Sequence, residues 1–197
     1  MNTTKALLNH LTVPYYLTCG NHDDFPNLRS VFPEQPFMDP QFSHYALDHL
    51  PVRILVLDSH IPKKDYGILC EERKQWLTAR LEEDRKKPTM IFLHHFPIDV
   101  QEPIFSTINL RNGNDLKQII SASPNVRGIY CGHYHHAGAS VFGRALCWIS
   151  PSTAPSHILE GDKCIGLNLT YPAYSVHEFI NGNFMSQIVS VAPTLCP

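Results

Sequence analysis

The alternation of apolar and polar positions divides the first two thirds of the chain into strands and helices. Apolar residues that recur every three or four positions predict a helix, and a short apolar run that ends at a turn signal predicts a strand. The pattern predicts helices at Ala6–Leu11, Glu71–Lys87 and about Asp115–Ala122, and strands at Pro14–Cys19, Val52–Asp58, Thr89–Leu93 and Val126–Cys131. Strands that alternate with helices indicate an α/β fold with a layered core.

The pattern changes after Gly138, where short apolar runs continue without helical segments between them. The dipeptide Asn181-Gly182 joins two of these runs, Tyr174–Ile180 and Phe184–Val191, and Asn-Gly is the strongest short hairpin signal. The C-terminal third is therefore predicted to be an antiparallel sheet packed on the α/β part. The proline-rich stretch Phe32–Pro40 is typical of a long surface loop.

Composition and charge narrow the classes of function. The 197 residues carry 16 basic and 18 acidic side chains without a long basic run, so we do not expect nucleic-acid binding. The longest apolar runs are too short to cross a bilayer, and residues 1–11 lack the pattern of a secretory signal. Six cysteines are scattered without a Cys-x-x-Cys pair, which favours a reduced, cytoplasmic protein. Because no internal repeat divides the sequence, we expect residues 1–197 to form one domain.

The candidate chemistry lies in three polar clusters, each directly after a predicted strand. They are Gly20-Asn21-His22-Asp23, His94-His95-Phe96-Pro97 and Gly132-His133-Tyr134-His135-His136, and together they hold half of the 12 histidines. Ligands of an open α/β sheet bind beyond the carboxyl ends of its strands, so we expect the clusters to converge on one edge. Neutral imidazoles and amide oxygens suit Mn, Fe or Zn ions, so the clusters predict a metal site.

Two other interpretations of the clusters stay open on these grounds. One cluster alone is more often a strand cap or a solvated loop than a ligand set, and only its repetition after three strands favours a metal. A structural zinc site is the weakest alternative, because none of the clusters contains a cysteine.

The ordered set Gly-Asn-His-Asp, His-x-Pro and Gly-His-x-His resembles that of the calcineurin-like metallophosphoesterases, from about Pro14 to the C-terminus. Leu57-Asp58-Ser59, followed by a Trp-Leu helix, is similar to the branch of class III cyclic nucleotide phosphodiesterases. The resemblance implies a layered α-β-β-α sandwich and metal-dependent hydrolysis of phosphodiesters, with cyclic nucleotides such as 3′,5′-cyclic AMP as substrates. The expected partner is thus a small phosphodiester, and neither nucleic acid nor a membrane.

The resemblance also implies the ligands of the metal. Asn21, His95, His133 and His135 would bind divalent ions such as Mn, Fe or Zn, of which the family holds two. Two histidines are adjacent in the second cluster, and the family spacing His-x-Pro selects His95 and leaves His94 as its neighbour.

The catalytic residues implied by the resemblance are His22 and Asp23. His22 would hold a phosphate oxygen and protonate the leaving alkoxide, and Asp23 would fix the tautomer of His22. A cap of the following turn is an equally good interpretation of Asp23. Tyr134 and His136 flank the last motif, where a structural role is at least as well supported as a place in the pocket.

Part of the family's set is missing from this sequence. The family has Asp-x-His and Gly-Asp-x-x-Asp ahead of the Asn-His-Asp triplet, whereas residues 1–20 contain no aspartate. Asp58-Ser59-His60 and Gly161-Asp162 match these motifs in part but in the wrong chain order, and we expect neither aspartate to be a ligand.

The missing motifs change what is expected of the chain itself. We expect it to lack the leading βαβ segment and the carboxylate that bridges the two ions, and therefore to bind at most one ion. An incomplete sheet exposes strand edges, so the alternatives are a homodimer, an exchange of elements between copies, or a chain of only marginal stability. The alternative function is that of a catalytically impaired homologue, either a binding or regulatory protein or an inactive fragment.

Overall fold

The computed structural model describes residues 2–100, 102–160, 163–168 and 172–191. The helices in this part are α1 (Asn2–Leu8), α2 (Phe25–Val31), α3 (Glu71–Glu83), α4 (Pro103–Ser106) and α5 (Gly113–Ala122). The strands are β1 (Tyr45–Leu47), β2 (Arg53–Val56), β3 (Thr89–Leu93), β4 (Val126–Cys131), β5 (Gly138–Phe142), β6 (Ala145–Ile149), β7 (Ser156–Glu160), β8 (Lys163–Asn168), β9 (Ala173–Ile180) and β10 (Asn183–Ser190). In the part of the chain that the structure covers, no helix combines the length and apolar character of a membrane span.

The centre of the fold is a six-stranded mixed sheet with the order β1-β2-β3-β4-β6-β5. Strands β2, β3, β4 and β6 are parallel, and the two outer strands, β1 and β5, run antiparallel to their neighbours. The parallel strands therefore end at one edge of the sheet. The polar segments that follow β2, β3 and β4 leave the sheet at this edge, which is where the sequence predicts the site.

The main hydrophobic core lies between one face of this sheet and the helices α3 and α5. Leu77 and Leu81 of α3 and Leu116 and Ile120 of α5 are at most 1% exposed and pack in one cluster with sheet residues such as Ile91. Each such side chain contributes about 1.5–3 kcal/mol through its removal from water. This core holds the ends of β2, β3 and β4 in a fixed relation.

The opposite face of the sheet is covered by two separate pieces of chain. The hairpin β9–β10 places Phe179 and Phe184 against Met90 and Tyr130 of the sheet. The segment 14–20 and helix α2 cover β1 and β2 on the same side, through side chains such as Phe32. A cavity of about 280 Å³ floored by Ile54, Val56 and Phe92 adjoins the segment 14–20.

The segment 14–20 is extended but is not paired as a strand, which differs from the predicted strand Pro14–Cys19. Side chains form hydrogen bonds with the backbone along one edge of the segment. The Gln35 side chain accepts from the amide of Leu17 and donates to the carbonyl of Tyr15, and the Tyr45 hydroxyl donates to the Leu17 carbonyl. The backbone N–H and C=O groups of Tyr16 and Thr18 belong to the other edge, because successive residues of such a segment face opposite ways. These groups form no hydrogen bond within the described residues. We call these two residues the open edge.

Several predicted elements are confirmed with shifted limits. Helix α3 ends at Glu83 rather than Lys87, because Asp84 accepts hydrogen bonds from the amides of Lys86 and Lys87 and forms a turn there. The hairpin at Asn181-Gly182 is confirmed, and both residues have the positive φ, 52° and 82°, that its tight turn requires.

The C-terminal third differs from its prediction. Strands β5 and β6 extend the central sheet, and β7–β8 and β9–β10 form two separate hairpins instead of one antiparallel sheet. Parallel pairing of β6 with β4 links residues far apart in the chain, and local patterns carry no information on such pairs. Helix α2 and strand β1 were not predicted.

Candidate metal centre

Three turns carry the predicted site residues to the same edge of the sheet. His94 and His95 follow β3 directly, and His133 follows β4 after the single residue Gly132. Asn21 lies in the turn that ends the segment 14–20. The backbone of His133 has a φ of 69°, an uncommon left-handed conformation for a residue with a side chain, and such positions concentrate at functional sites.

The centre of the site is a contact among an amide oxygen and two imidazoles. Nε2 of His94 lies 3.0 Å from Oδ1 of Asn21 and 3.0 Å from Nδ1 of His133. Ring nitrogens of His94, His95 and His133 all lie within 4.8 Å of one another. The structure thus places His94 in contact with Asn21 and His133, and His95 in the same group of three histidines. The ligand roles of Asn21, His95 and His133 stay a prediction.

This donor set has the chemistry of a cation site. A neutral ring nitrogen carries either one proton or one lone pair, so Nε2 of His94 forms a hydrogen bond with only one of its two neighbours at a time. Two metal bonds of about 2.1 Å at right angles also place their donor atoms about 3.0 Å apart, which is the spacing observed. The residues therefore fit one divalent ion held by imidazole and amide donors.

His95 occupies a different environment from His94. It is fully buried, its Nδ1 lies 2.8 Å from the hydroxyl oxygen of Ser59, and its Nε2 has no hydrogen-bond partner among the described residues. The Ser59 hydroxyl fixes the orientation of the ring, as groups behind a metal ligand commonly do. The metal role of His95 stays a prediction, and His94 is the histidine that contacts both Asn21 and His133.

Two glycines let the chain approach the adjacent histidines closely. A Cβ at Gly20 would lie 2.9 Å from the His94 ring, and a Cβ at Gly67 would lie 2.6 Å from the His95 ring. Side chains at these positions would push against the rings. The glycines are therefore part of the packing that holds the two imidazoles in place.

Burial keeps the imidazoles of the cluster neutral. Burial, with the nearby His133 and His135, lowers the pKa of His94 to about 3. Burial, with repulsion from His94, lowers the pKa of His95 to about 2, and burial with the nearby His135 lowers the pKa of His133 to about 4. At neutral pH the three rings carry free lone pairs, which is the protonation state that metal binding requires.

The predicted catalytic pair, His22 and Asp23, lies beside this cluster. His22 is exposed and lines the same cavity as Asn21. The Asp23 carboxylate accepts a hydrogen bond of 2.8 Å from the amide of Gly20, which is the geometry of a turn cap. The role of Asp23 in fixing the tautomer of His22 stays a prediction without a contact that supports it in the described part of the chain.

Of the remaining residues of the last motif, His135 lies near His94 and His133, and its metal role stays a prediction. Nδ1 of His135 is 2.9 Å from the carbonyl oxygen of Pro155, and His135 is outside the group of three histidines found in the described residues. Tyr134 is buried and packs edge-on against Phe105 at 4.8 Å, which is a structural role. His136 packs against the same two aromatic rings.

Asp58 has the contacts of a structural residue. Only 1% of it is exposed; Oδ2 accepts from the amide of Ser43 at 2.8 Å and Oδ1 from the amide of His60 at 2.7 Å. The guanidinium of Arg73 lies 3.9 Å from Oδ1. These groups occupy both carboxylate oxygens, and Asp162 lies outside the described residues.

Comparison with known proteins supports the family resemblance found in the sequence motifs. The family model described as calcineurin-like phosphoesterase matches residues 2–137. The glycerophosphodiester phosphodiesterase of Enterobacter lignolyticus is 32% identical over 153 residues, which cover 76% of this chain and 55% of that protein. The 3′,5′-cyclic adenosine monophosphate phosphodiesterase of Vibrio vulnificus is 32% identical over 180 residues, which cover 88% of this chain and 62% of that protein.

A solved structure supports the fold. A dimetal phosphatase from Danio rerio superposes with a TM-score of 0.70 over 97% of this chain and 76% of that one, at 14% sequence identity. This confirms the predicted layered α/β architecture. The chain spans little more than half the length of the first curated relatives that it matches.

Proposed function

We propose, because the chain belongs to the calcineurin-like phosphoesterase family, that its activity is the metal-dependent hydrolysis of phosphodiesters. The observation that carries the proposal is the convergence of Asn21 Oδ1, His94 Nε2 and His133 Nδ1. Both relatives named above are phosphodiesterases, although one is named for glycerophosphodiesters and the other for 3′,5′-cyclic adenosine monophosphate. As the finer proposal we take 3′,5′-cyclic nucleotides as substrates.

The residues of the site have separate tasks in this proposal. Asn21, His94 and His133 hold the ion, and His95, fixed by Ser59, is the neighbouring ring that completes the set. A divalent ion bound there supplies a water of lowered pKa and neutralises charge on the phosphate. His22, exposed at the wall of the adjoining cavity, donates its ring proton to the leaving oxygen.

The neutral donor set supports one ion, not two. The four donors are an amide and three imidazoles, and the contacts described for Asp58 and Asp23 direct their carboxylates elsewhere. Two divalent ions in one site need negative ligands to offset their repulsion. The same observation favours a second candidate function, that of a binding or regulatory protein that holds a single ion.

A titration with Mn²⁺ separates these two candidates. We expect one Mn²⁺ per chain, with hydrolysis of bis(4-nitrophenyl) phosphate and cyclic AMP that is slow, depends on Mn²⁺ and is lost in His94→Ala. His49→Ala is the matched control, because His49 is an exposed histidine just after β1, whose end pairs with the start of β2, away from the edge that carries the cluster. Binding of one ion without turnover above that of His94→Ala would support the second candidate, and no binding would refute both.

Two further expectations stay predictions. The open edge supports a homodimer, since an unpaired strand edge is a site for another chain. A cytoplasmic location is supported by the cysteine pattern, and by five free cysteines in the described residues.

A further inference from the structure

A cavity of about 680 Å³ beside the metal centre carries negative charge on its walls. Its lining includes Asn21 of the centre and three carboxylates, those of Asp23, Asp24 and Asp65. The donors of the centre are an amide and imidazoles, all of them neutral. Opposite charges attract more strongly where protein partly replaces water, so a carboxylate at this place would strengthen the binding of a divalent ion.

Two of the three carboxylates already have partners. The Asp23 carboxylate accepts a hydrogen bond of 2.8 Å from a turn amide, and that of Asp24 accepts one of 3.0 Å from the first turn of α2 as its N-cap. Asp65 is exposed and forms no hydrogen bond or ion pair within the described residues, although Lys63 lines the same cavity. Its carboxylate is therefore available to a cation.

The loop that carries Asp65 packs directly on the metal centre. A Cβ at Gly67 would lie 2.6 Å from the His95 ring, so the backbone two residues after Asp65 is in close contact with that ring. The amide of Gly67 donates to the carbonyl of Asn109 at 3.1 Å, and the Gly67 carbonyl accepts from the amide of Arg111 at 3.0 Å. These two hydrogen bonds hold the loop, and Asp65 with it, against the centre.

The charge of Asp65 acts on the imidazoles of the centre. Burial is the main influence on the pKa of His133 and lowers it, whereas the carboxylate and the backbone carbonyl of Asp65 act in the opposite direction. The same carbonyl acts in that direction on the pKa of His95. A carboxylate in this position stabilises positive charge at the centre, and the neutral rings provide none until a cation binds.

We propose that Asp65 is the anionic partner of the metal centre, a positioning residue whose carboxylate offsets the charge of a divalent ion held by the neutral donors. The inference deepens the proposed function, on which it rests for the ligand set. Asp65 is outside the tight group of three histidines found in the described residues, so it acts on the ion at longer range than the ring nitrogens. Groups around the direct ligands commonly tune metal affinity in this way.

Mn²⁺ titrations of Asp65→Asn, followed by the electron paramagnetic resonance signal of free Mn²⁺, test the proposal. The substitution keeps the size of the side chain, removes its charge and is expected to weaken Mn²⁺ affinity about tenfold or more. The free energy of unfolding should not change, because the side chain is exposed and has no hydrogen bond or ion pair within the described residues. Asp65→Glu keeps the charge and should recover most of the lost affinity.

Asp24→Asn is the matched control, because it removes the same charge from the same cavity while asparagine remains a good N-cap. We expect it to change Mn²⁺ affinity less than about twofold, since solvent screens an exposed charge that does not face the ion. Equal weakening in Asp24→Asn and Asp65→Asn would overturn the proposal, because the effect would then belong to the charge of the cavity as a whole.

Unchanged affinity in Asp65→Asn, or no Mn²⁺ binding to the wild type, would overturn the proposal as well. Hydrolysis of bis(4-nitrophenyl) phosphate is measured separately on the same proteins. Mn²⁺ binding that depends on Asp65 but gives no turnover would refute the proposed function and leave the role of Asp65 standing. Turnover with an Mn²⁺ affinity that does not depend on Asp65 would do the reverse.

Discussion

Asp58 matches the family's Asp-x-His motif in part, and Asp58→Asn tests whether its carboxylate is structural or binds a metal. In the structure both oxygens accept backbone hydrogen bonds, from Ser43 and His60, and Arg73 lies at 3.9 Å. We therefore expect the substitution to lower stability and to leave Mn²⁺ affinity within about twofold. The alternative, Asp58 as a ligand, predicts the reverse.

The size of the stability loss follows from these contacts. Asparagine keeps one carbonyl oxygen but turns an amino group toward one of the two amides, which costs about 1–3 kcal/mol for the unsatisfied donor. The side chain of Arg73 is only 6% exposed and would lose its charged partner. Removing one member of a buried ion pair costs about 3–5 kcal/mol, but this pair is long, at 3.9 Å, and should contribute less. For both effects together we expect Asp58→Asn to lower the free energy of unfolding by about 3–4 kcal/mol.

Urea unfolding and Mn²⁺ titration of the same preparations provide the assay. Asp115→Asn is the control, because Asp115 pairs with Lys74 at 2.9 Å but is 43% exposed, so its loss should cost less than about 1 kcal/mol. A stability change below 1 kcal/mol in Asp58→Asn together with loss of Mn²⁺ binding would refute the structural role of Asp58.

Three further outcomes are expected. In urea unfolding, His177 should contribute about 1–2 kcal/mol to the fall in the free energy of unfolding from pH 7 to pH 5, in addition to the buried histidines of the metal centre. Burial lowers its folded pKa from 6.5 to about 4, so the unfolded chain binds more protons as pH falls below 6.5. His177→Phe should remove that part of the pH dependence, and an equal slope in both proteins would contradict this. Gly67→Ala should lower the melting temperature, since its Cβ would meet the His95 ring at 2.6 Å, whereas Gly132→Ala meets nothing within 4 Å and should not. Finally, His22→Ala should keep Mn²⁺ and lose about 10²- to 10⁴-fold in turnover; equal metal loss in His133→Ala and His22→Ala would make His22 a ligand.

The central strands could be predicted from the sequence because burial on both faces leaves a continuous apolar run. Thr89–Leu93 and Val126–Cys131 are observed with the predicted limits. Strands β5 and β6 could not be assigned to their sheet, because long-range pairing has no local signal. Helix α2 did have a signal that was missed: Asp24 accepts from the amide of Asn27 as N-cap, and Pro26 follows in the first turn.

The adjacent histidines His94 and His95 show that motif spacing does not describe which way a side chain faces. Side chains alternate along a strand, and Leu93 points into the core beneath the helices. His95 has the same parity as Leu93 and is fully buried, whereas His94 turns to the other side and meets Asn21. The periodicity of two, extended past the end of β3, was the information in the sequence that could have placed His94 on the side of Asn21.

The open edge at Tyr16 and Thr18 sets how this chain behaves when concentrated. Amide protons along this segment should exchange with deuterated solvent in an odd-even pattern, with Leu17 and Cys19 protected by Gln35 and Ser43 and the two residues of the open edge unprotected. Residues 11–18 carry no charged side chain to discourage sheet growth between molecules. Shelf life in concentrated solution therefore depends on the two residues of the open edge, and Tyr16→Lys should prolong it.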